Sequence, residues 1–369
     1  MKIASIETFS TRYVGLVRLT TASGEQGWGQ LSTYHSDISA DVLHRQVAPY
    51  VMGEDISDLS TLGDLLDRTY EKQHKFPGSY MCRALGGLDT AIWDLHGKVT
   101  GKPVCVLLGG KVKSLRAYAS SMKRDITPKD EAERFKRLRD ECGYDAFKFR
   151  IGAEVGRNQD EWLGRTEEII PTIRRELGDD ATLLVDANSC YIPERAIEVG
   201  AILEDNGVSH FEEPCPYWDH DATKKVTDAL SIDVSGGEQD NDLTSWKYMI
   251  KNRVVDIVQP DVSYVGGIER AMRVAKMAQE AGLPCTPHAA NMSLVTVFTA
   301  HMLAAIENAG KYLEFSIEVE DYYPWQRGIY TDYPTVRDGK YHLTEKPGWG
   351  VEINPEWLAK SAYKVSVLD

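Results

Sequence analysis

The sequence has few cysteines, and their spacing excludes two classes of stabilised fold. Six cysteines are scattered over 369 residues, and none of them forms a Cys-x-x-Cys pair. A zinc site or a disulfide framework would require closer or more regular spacing, so we predict neither. A chain of this length can bury an ample core without such cross-links. The cysteines are therefore expected to be small buried thiols.

Long apolar runs and excess positive charge are also missing. No run of 18 apolar residues occurs, and residues 1–17 contain no apolar segment of signal length. We therefore expect a cytoplasmic protein with no membrane partner. The formal net charge of −14 argues against a nucleic-acid partner. It leaves a small anionic substrate open, because a metal ion or a lysine can dominate the field inside a pocket.

Residues 1–113 show the pattern of an α+β unit, with strands first and helices after. Three segments before residue 33 alternate in polarity or are rich in β-branched and aromatic residues, which predicts antiparallel strands. Helical periodicity follows and ends in a long helix predicted at about residues 80–99. Gly86 and Gly87 inside this helix predict close packing against another backbone, since glycine otherwise weakens a helix.

From residue 114 to 329 the strand and helix patterns alternate. The eight strand candidates are LRAYASSM, AFKFRIG, TLLVDAN, SHFEEP, DVSGGE, DIVQPD, LPCTPHA and YLEFSIE. Eight such units favour a (β/α)8 barrel over an open doubly wound sheet. No Gly-x-Gly-x-x-Gly motif follows a strand candidate, which disfavours a dinucleotide site. In the tail, residues 330–369, the segments KYHLT and YKVSVL are expected to return to the N-terminal sheet and complete a capping domain.

Three successive strand candidates end in an acidic residue at equal spacing. Asp186, Glu212 and Glu238 lie 26 residues apart, twice over. Carboxylates at three neighbouring strand ends would suit a hard divalent cation such as Mg²⁺. The alternative interpretation is that each acid only caps the helix that follows it. The even register of the three residues favours the metal site.

The other strand ends supply the groups that proton abstraction beside a carboxylate requires. The second strand candidate ends in Lys148 and Arg150, the sixth in Asp261, the seventh in His288 and the eighth in Glu314. A metal ion could stabilise the enediolate that forms when the proton leaves. His288 next to Asp261 suits a general base, because the carboxylate would orient the ring and raise its basicity. Lys148 would complement the enolate oxygens, and Glu314 could donate a hydrogen bond if burial kept it protonated.

These motifs together resemble the enolase superfamily, in its mandelate racemase-like subgroup. The segment ALGGLDTAIWDLHGKVTGKPVCVLLGG is similar to the family's helix signature, and LLVDAN, FEEP and SGGE are similar to its three metal-ligand strands. QPDVSYVGGI with TPHAAN resembles its Asp–His dyad, LEFSIE its eighth-strand glutamate and PGWGVEIN its C-terminal motif. The resemblance spans nearly the whole chain. It implies an enolase-like, modified TIM barrel with an α+β cap that is built from residues 1–113 and 330–369.

The resemblance also implies a role for each strand-end residue. Asp186, Glu212 and Glu238 would bind one Mg²⁺ per subunit, with Mn²⁺ able to substitute. His288 would be the general base with Asp261 as its partner. The known chemistry of this superfamily is a Lys or His base with Mg²⁺ stabilising an enediolate. Glu314 would donate a hydrogen bond to the substrate carboxylate, and the chain would form a homo-oligomer.

One departure from the family pattern guides the functional prediction. The second strand usually carries Lys-x-Lys, whereas Arg150 stands at the second position here, and a guanidinium is a poor base. Racemisation needs bases on both faces of the substrate, whereas dehydration needs one base and an acid that can be the same histidine. We therefore predict a carbon–oxygen lyase that dehydrates a sugar acid to a 2-keto-3-deoxy acid. A racemase, epimerase or cycloisomerase is the alternative, because Lys148 could move towards the substrate and act as the second base. A third interpretation is a non-catalytic ligand-binding barrel.

A second departure concerns the roof of the site. Only Thr11 and Arg12 separate the first two strand candidates, where the family usually has a longer capping loop. The roof would then come from Tyr34 and His35, from residues 74–79 or from a neighbouring subunit. Candidates for substrate contact, for which packing or surface roles are equally open, are Tyr34, His35, Lys123, Arg124, Asn188, Tyr264, Asn291 and Trp325.

Overall fold

A computed structural model of the protein describes residues 1–319, 321–333 and 335–368. The strands are β1 (Ile3–Ser10), β2 (Gly15–Thr21), β3 (Gln26–Leu31), β4 (Ser114–Ser120), β5 (Ala146–Arg150), β6 (Thr182–Asp186), β7 (His210–Glu212), β8 (Asp233–Gly236), β9 (Ile257–Val258), β10 (Leu313–Ser316), β11 (Val336–Arg337), β12 (Lys340–His342) and β13 (Ala362–Val367).

The α-helices are α1 (Ser36–Val42), α2 (Ala48–Val51), α3 (Leu62–Lys72), α4 (Ser79–Thr100), α5 (Val104–Leu107), α6 (Pro128–Cys142), α7 (Arg165–Leu177), α8 (Pro193–Asp205), α9 (His220–Ala229), α10 (Leu243–Lys251), α11 (Val262–Val265), α12 (Ile268–Glu280), α13 (Leu294–Leu303) and α14 (Pro355–Ala359). A π-helical segment (Leu43–Val47) and two 3₁₀ turns (Leu59–Thr61 and Pro324–Gln326) complete the helical structure of the described residues. No helix among the described residues is long and apolar enough to cross a membrane.

The N-terminal sheet has the order β13-β1-β2-β3 and is antiparallel throughout. Its inner face packs against helix α4, and glycine makes the close approach possible. A Cβ at Gly29 would clash with the carbonyl oxygen of Gly87, and a Cβ at Gly86 would lie 3.2 Å from the backbone nitrogen of Gly267. The close packing predicted from the glycine pair in this helix is confirmed.

Two buried aspartates of helix α4 fasten distant segments to it. Asp94 accepts hydrogen bonds from the backbone nitrogens of Trp28 on β3 (2.7 Å) and of Trp349 in the C-terminal motif (2.9 Å). Asp89 accepts one from the backbone nitrogen of Ile268 at the start of α12 (2.5 Å). Burial raises the pKa of both carboxyl groups, and these backbone hydrogen bonds partly oppose the shift. Helix α4 therefore links the sheet, the barrel and the tail.

The second sheet closes into the predicted (β/α)8-type barrel. Strands β4 to β9 pair in parallel and in chain order, and β10 pairs in parallel with β4. The predicted seventh strand, LPCTPHA, is not a regular strand; isolated bridges from Cys285 to Val258 and to Ala309, and from His288 to Asp261, fill its place. Pro284 and Pro287 explain this difference, because a proline has no backbone N–H to donate to a sheet.

The two strands predicted in the tail have different partners. Strand β13 returns to the N-terminal sheet and pairs with β1, as predicted. Strand β12 forms a hairpin with β11 and pairs antiparallel with the barrel strand β4, so the prediction that KYHLT joins the N-terminal sheet is wrong. The alternating pattern of a strand determines which of its residues face a core. Which strand it pairs with depends on the tertiary path of the preceding chain. The division into domains at residue 113 stays a prediction.

All six cysteines are free, and all but Cys142 are buried, in agreement with the expectation of buried thiols.

Another buried group, His301 on α13, should make stability depend on pH. The backbone nitrogen of Cys105 donates a hydrogen bond to its Nδ1 (2.9 Å), and the ring stands edge-on to Trp349. Burial lowers the pKa of His301 to about 4.

Between pH 6.5 and 4, the unfolded chain takes up a proton at His301 before the folded protein does. The free energy of unfolding should therefore fall with falling pH in this range, by up to roughly 3 kcal/mol at about 1.4 kcal/mol per pKa unit. We expect a lower urea midpoint at pH 4.5 than at pH 7. His301→Gln, which keeps a hydrogen-bond acceptor, should lose less over the same range. An equal loss in the variant would assign the effect to other groups.

Candidate active site

The strand register brings the predicted residues to one rim of the barrel. Arg150 lies opposite Asp186 in the β5–β6 pair, and Asp186 lies opposite Glu212 in the β6–β7 pair. Asp261 and His288 are paired by a backbone bridge at the same end. Neighbouring parallel strands end at the same edge of a sheet, and in such barrels the carboxyl-terminal edge carries the active site. All five side chains are buried.

Lys148 is held at the centre of this rim by carboxylates. Its Nζ lies 2.7 Å from Glu314 Oε1, 2.9 Å from each carboxylate oxygen of Glu212 and 3.6 Å from Asp186 Oδ2. Burial by itself would lower the pKa of Lys148, but Glu212 and Glu314 outweigh it and hold the pKa well above its ordinary value. In this arrangement Lys148 is a fixed cation and not a poised base.

Arg150 is a second fixed cation beside it. Its Nη1 makes an ion pair with Asp186 Oδ2, and its Nη2 lies 3.0 Å from Met122 Sδ. Burial would lower the pKa of Arg150, yet Asp186, with support from Glu238, raises it. The guanidinium therefore stays charged and cannot abstract a proton.

The predicted dyad of Asp261 and His288 is formed. His288 Nδ1 lies 2.8 Å from Asp261 Oδ2, and Asp261 Oδ1 is itself fixed by the backbone nitrogens of Ser263 (2.7 Å) and Tyr264 (2.9 Å) at the start of α11. His288 Nε2 faces the rim, 3.1 Å from Glu238 Oε2. Burial opposes protonation of the ring, but Glu238 and Asp261 outweigh it and raise the pKa of His288 to about 10. The imidazole is thus oriented and strongly basic.

Glu314 differs from the expectation that burial keeps it protonated. It accepts hydrogen bonds from Ser120 Oγ (2.8 Å) and the backbone nitrogen of Ala289 (2.8 Å), in addition to its ion pair with Lys148. Burial raises the pKa of Glu314, but Lys148 and His288 outweigh it, so the net pKa is lowered. In the structure Glu314 is an ionised acceptor, because three donors already surround it.

The three carboxylates at the ends of β6 and β7 and just after β8 fit a hard divalent cation by their chemistry. Asp186 Oδ2 forms an ion pair with Arg150 and Glu238 Oε2 lies 3.1 Å from His288 Nε2, but neither buried oxygen accepts a hydrogen bond of regular geometry from a described residue. Such oxygens are costly to bury unless a cation or a donor satisfies them. In their present rotamers, the acidic, His and Cys side chains of the described residues form no group of three that encloses an ion. Glu212 pairs with Lys148 and Asp186 pairs with Arg150. The two carboxylates would therefore have to turn away from these cations to bind a metal ion.

An aromatic cluster lies beside this rim and includes Tyr34 and Trp325, two of the predicted candidates for substrate contact. Tyr34 lies edge-on to Tyr13 and Trp325, with ring centroids 6.1 and 6.4 Å apart, and Trp325 also stacks on Tyr13. Tyr323 packs on Trp325 at 5.4 Å. Burial raises the pKa of Tyr323, and the charge of Arg150 opposes this, so the phenol lies within electrostatic reach of the rim.

The first loop is longer than predicted. Strand β1 ends at Ser10 and β2 begins at Gly15, and the loop between them carries Tyr13 into the aromatic cluster. Sequence reasoning missed Tyr13 and Tyr323; the density of aromatic residues at 322–325 was the available signal. The exposed side chain of His35 stands at the start of α1, and residues 74–77 are largely exposed.

The remaining candidates for substrate contact have varied positions. The backbone nitrogen of Asn188 donates to Asp186 Oδ1 (2.6 Å), and Asn188 Oδ1 accepts from Arg124 Nη2 (3.3 Å). The ring of Tyr264 lies 6.2 Å from that of His288. Asn291 is buried and caps the turn before α13 through Ser293, which indicates a structural role. Lys123 is paired with Asp321 (3.0 Å).

Comparisons with known proteins agree with this architecture. The model of the mandelate racemase / muconate lactonizing enzyme N-terminal domain matches residues 1–109, and the enolase C-terminal domain-like model matches residues 130–357. A curated relative, the arabinonate dehydratase of Saccharolobus solfataricus, is 29% identical over 91% of this chain and 87% of its own.

Two solved structures are also similar. A crystal structure from Roseobacter denitrificans, described provisionally as a racemase, is 66% identical over 100% of both chains with a TM-score of 0.98. A mandelate racemase/muconate lactonizing protein from Paracoccus denitrificans PD1222, crystallised with magnesium, is 29% identical over 99% of this chain and 98% of its own, with a TM-score of 0.89. The fold, the strand-end residues and these matches lead to one conclusion: the chain belongs to the mandelate racemase/muconate lactonizing enzyme group of the enolase superfamily, a family of enzymes.

Proposed function

We propose that the protein dehydrates a sugar acid to a 2-keto-3-deoxy acid. The observation that carries this proposal is the asymmetry of the rim. One side presents the Asp261–His288 dyad, in which Asp261 orients the ring and Nε2 faces the rim. The other side presents Lys148 and Arg150, and both are fixed as cations by carboxylates. A site with one competent base supports elimination, whereas racemisation requires a base on each face.

The reaction follows from the positions of these groups. His288 Nε2 removes the proton from C2 of the substrate, and the electron pair moves into an enediolate. Asp261 stabilises the imidazolium that forms, because its carboxylate lies 2.8 Å from Nδ1. The imidazolium then returns its proton to the hydroxyl on C3, and that hydroxyl leaves as water. The resulting enol becomes the 2-keto-3-deoxy acid by taking up a proton at C3.

The proposal includes one Mg²⁺ per subunit, held by Asp186, Glu212 and Glu238 and replaceable by Mn²⁺. When bound, the cation supplies positive charge that lowers the energy of the enediolate. The buried oxygens of Asp186 and Glu238 that lack a regular hydrogen bond support this assignment. Lys148 adds a cation that is already held in place, which costs no reorganisation during the reaction. We further propose that the enzyme is a cytoplasmic homo-oligomer.

Racemisation or epimerisation of a hydroxy acid is the second candidate. It is favoured by the Roseobacter denitrificans structure, which is 66% identical and described provisionally as a racemase. For this reaction Lys148 would have to leave its carboxylates and lose a proton. The ion pairs at 2.7 and 2.9 Å oppose both changes.

Heavy water distinguishes the two reactions. The Mg²⁺-loaded enzyme is incubated in D₂O with a panel of aldonic and aldaric acids, and keto-acid formation and deuterium at C2 are measured by NMR. We expect a 2-keto-3-deoxy product, and any deuterium in recovered substrate should be confined to the original configuration, because one base serves one face. Deuterium at C2 with inverted configuration and no keto acid would contradict the dehydratase and support the racemase.

A further inference from the structure

Arg124 is a cation at the barrel rim that no carboxylate of the described chain neutralises. It lies in the loop after β4, and its Nε donates to the carbonyl oxygen of Gly152 (3.1 Å). Its Nη2 donates to Asn188 Oδ1 (3.3 Å). Among residues 1–319, 321–333 and 335–368, no carboxylate forms a salt bridge with it. Both of its hydrogen-bond partners are neutral oxygens.

The neighbouring cations are treated differently by the protein. Lys123 in the same loop is paired with Asp321 at 3.0 Å. Arg134 on α6 is paired with Glu318 at 3.0 Å and with Glu131 at 3.5 Å. Arg150 is paired with Asp186. Arg165, which donates to the carbonyl oxygens of Arg150 and Ile126, also lacks a carboxylate partner, but it is almost fully buried. Arg124 is only half-buried, so it can take a partner that is not part of the chain.

Arg124 also faces another positive charge. Burial lowers the pKa of its guanidinium, and the charge of Arg150 lowers it further, while Asp186 opposes the shift. Both guanidinium groups thus lie in the field of Asp186, and only Arg150 forms an ion pair with it. A second anion beside Arg124 would offset both the energetic cost of burying its charge and the repulsion from Arg150. A planar guanidinium can bind a carboxylate through two parallel hydrogen bonds.

The loop that carries Arg124 is held in place and borders the site. The backbone nitrogen of Met122 donates to Glu318 Oε1 (2.7 Å), and Tyr322 donates from its hydroxyl to the carbonyl oxygen of Met122 (3.3 Å). Asn188, which Arg124 contacts, donates its backbone N–H to Asp186 Oδ1 (2.6 Å). Only this asparagine separates the guanidinium from a residue of the proposed metal site. The guanidinium therefore lies next to the proposed metal site, at a place where it can contact an anionic group of the substrate.

We propose that Arg124 binds a second carboxylate of the substrate, at the end of the carbon chain remote from the reacting carboxylate. This inference rests on the proposed function and names its substrate class: a dianionic, aldaric-type sugar acid. Arg124 is thereby a specificity-determining residue. It recognises the charge that an aldarate has and an aldonate of the same carbon skeleton lacks.

The test compares matched pairs of acids, D-glucarate with D-gluconate and galactarate with D-galactonate among a wider panel. The wild-type enzyme should prefer an aldarate. Arg124→Gln should lower kcat/KM for that aldarate by about 100-fold, mainly through KM, because a desolvated charge pair is lost. It should change kcat/KM for the matching aldonate by less than about threefold, because an aldonate has no second carboxylate and so loses no contact with Arg124. Arg124→Lys keeps the positive charge but lacks the planar pair of N–H donors. Its kcat/KM for the aldarate should lie between that of the wild type and that of Arg124→Gln.

The control variant is Lys129→Gln, which removes a positive charge from an exposed residue of helix α6 that pairs with Glu133 at 3.9 Å. It should leave both substrates unaffected. Equal losses for aldarate and aldonate in Arg124→Gln would show that Arg124 only braces Gly152 and Asn188, and would overturn the inference. A wild-type enzyme that dehydrates aldonates as well as aldarates would overturn it too.

Binding separates this inference from the proposed function. If no acid of the panel were dehydrated, the proposed function would fail, and calorimetric titration of the Mg²⁺-loaded protein would decide the role of Arg124. Tighter binding of one aldarate than of its aldonate, lost in Arg124→Gln and kept in Lys129→Gln, would support the dianion site. Equal affinities within every pair would overturn it.

Discussion

Replacing His288 by asparagine is expected to lower kcat by at least about 10³-fold, within the range that general acid–base catalysis contributes. The effect should be large because one imidazole carries both proton transfers of the proposed reaction. The backbone around it should persist, since residue 288 is held by its own bridge to Asp261 and by Thr299, whose hydroxyl donates to the carbonyl oxygen of His288. Asparagine keeps a polar group at the position of Nδ1 but offers no base.

The measurement combines turnover with Mg²⁺ affinity and the thermal midpoint. Affinity should change by less than tenfold, because His288 is a neighbour of Glu238 and not a proposed ligand. His342→Asn is the matched control: this exposed histidine contacts Ser114 at the opposite end of β4, and its replacement should leave kcat unchanged. Retained turnover in His288→Asn would remove the histidine from the mechanism.

Replacing Glu238 by glutamine is expected to abolish activity at low Mg²⁺ and to weaken Mg²⁺ binding by more than the 10–100-fold typical of outer-shell partners. Glu238 follows β8, and its buried carboxylate faces the rim with Oε2 3.1 Å from His288 Nε2. A ligand of this kind contributes full negative charge to the cation, whereas an amide contributes only a dipole. Excess EDTA should likewise stop the wild-type enzyme, and added Mg²⁺ should restore it.

The neighbouring acid Glu213 provides the control for this experiment. It sits beside Glu212 in sequence, and its Oε2 accepts a hydrogen bond from Ser189 Oγ (3.1 Å). Glutamine can accept the same bond, so Glu213→Gln should lower Mg²⁺ affinity by less than about tenfold. Metal binding is measured directly, by calorimetry with Mg²⁺ or by electron paramagnetic resonance with Mn²⁺. Equal losses in the two variants would mean that total negative charge, and not a defined ligand set, attracts the cation.

The three proposed metal ligands illustrate what a sequence can predict at a strand end. Each follows an apolar run, and the runs recur at the spacing of one β/α unit, so the pattern predicts both the barrel and the shared edge. The Asp261–His288 pair was predictable for the same reason. These inferences succeed because burial of the apolar runs dictates the strands, and parallel strands in register bring their ends together.

Other features depend on contacts that strand patterns do not contain. The prolines at 284 and 287 remove donors that the seventh strand would need, and β12 pairs with β4 because the tail passes that edge of the barrel. The charge state of Glu314 is a further example, because burial alone would raise its pKa. Its pKa is lowered by Lys148 and His288, which come from other strands.

The sequence by itself determined the fold class, the order of the strand ends and the residue types at the rim, because local hydrophobic periodicity and loop length control these properties. Only the tertiary structure decided which charges are neutralised by the chain. It pairs Lys148 with Glu212 and Glu314 and Arg150 with Asp186, and it leaves Arg124 with neutral partners. Charge pairing depends on distances of a few ångströms between segments far apart in the chain, and electrostatic energy varies steeply with distance and burial.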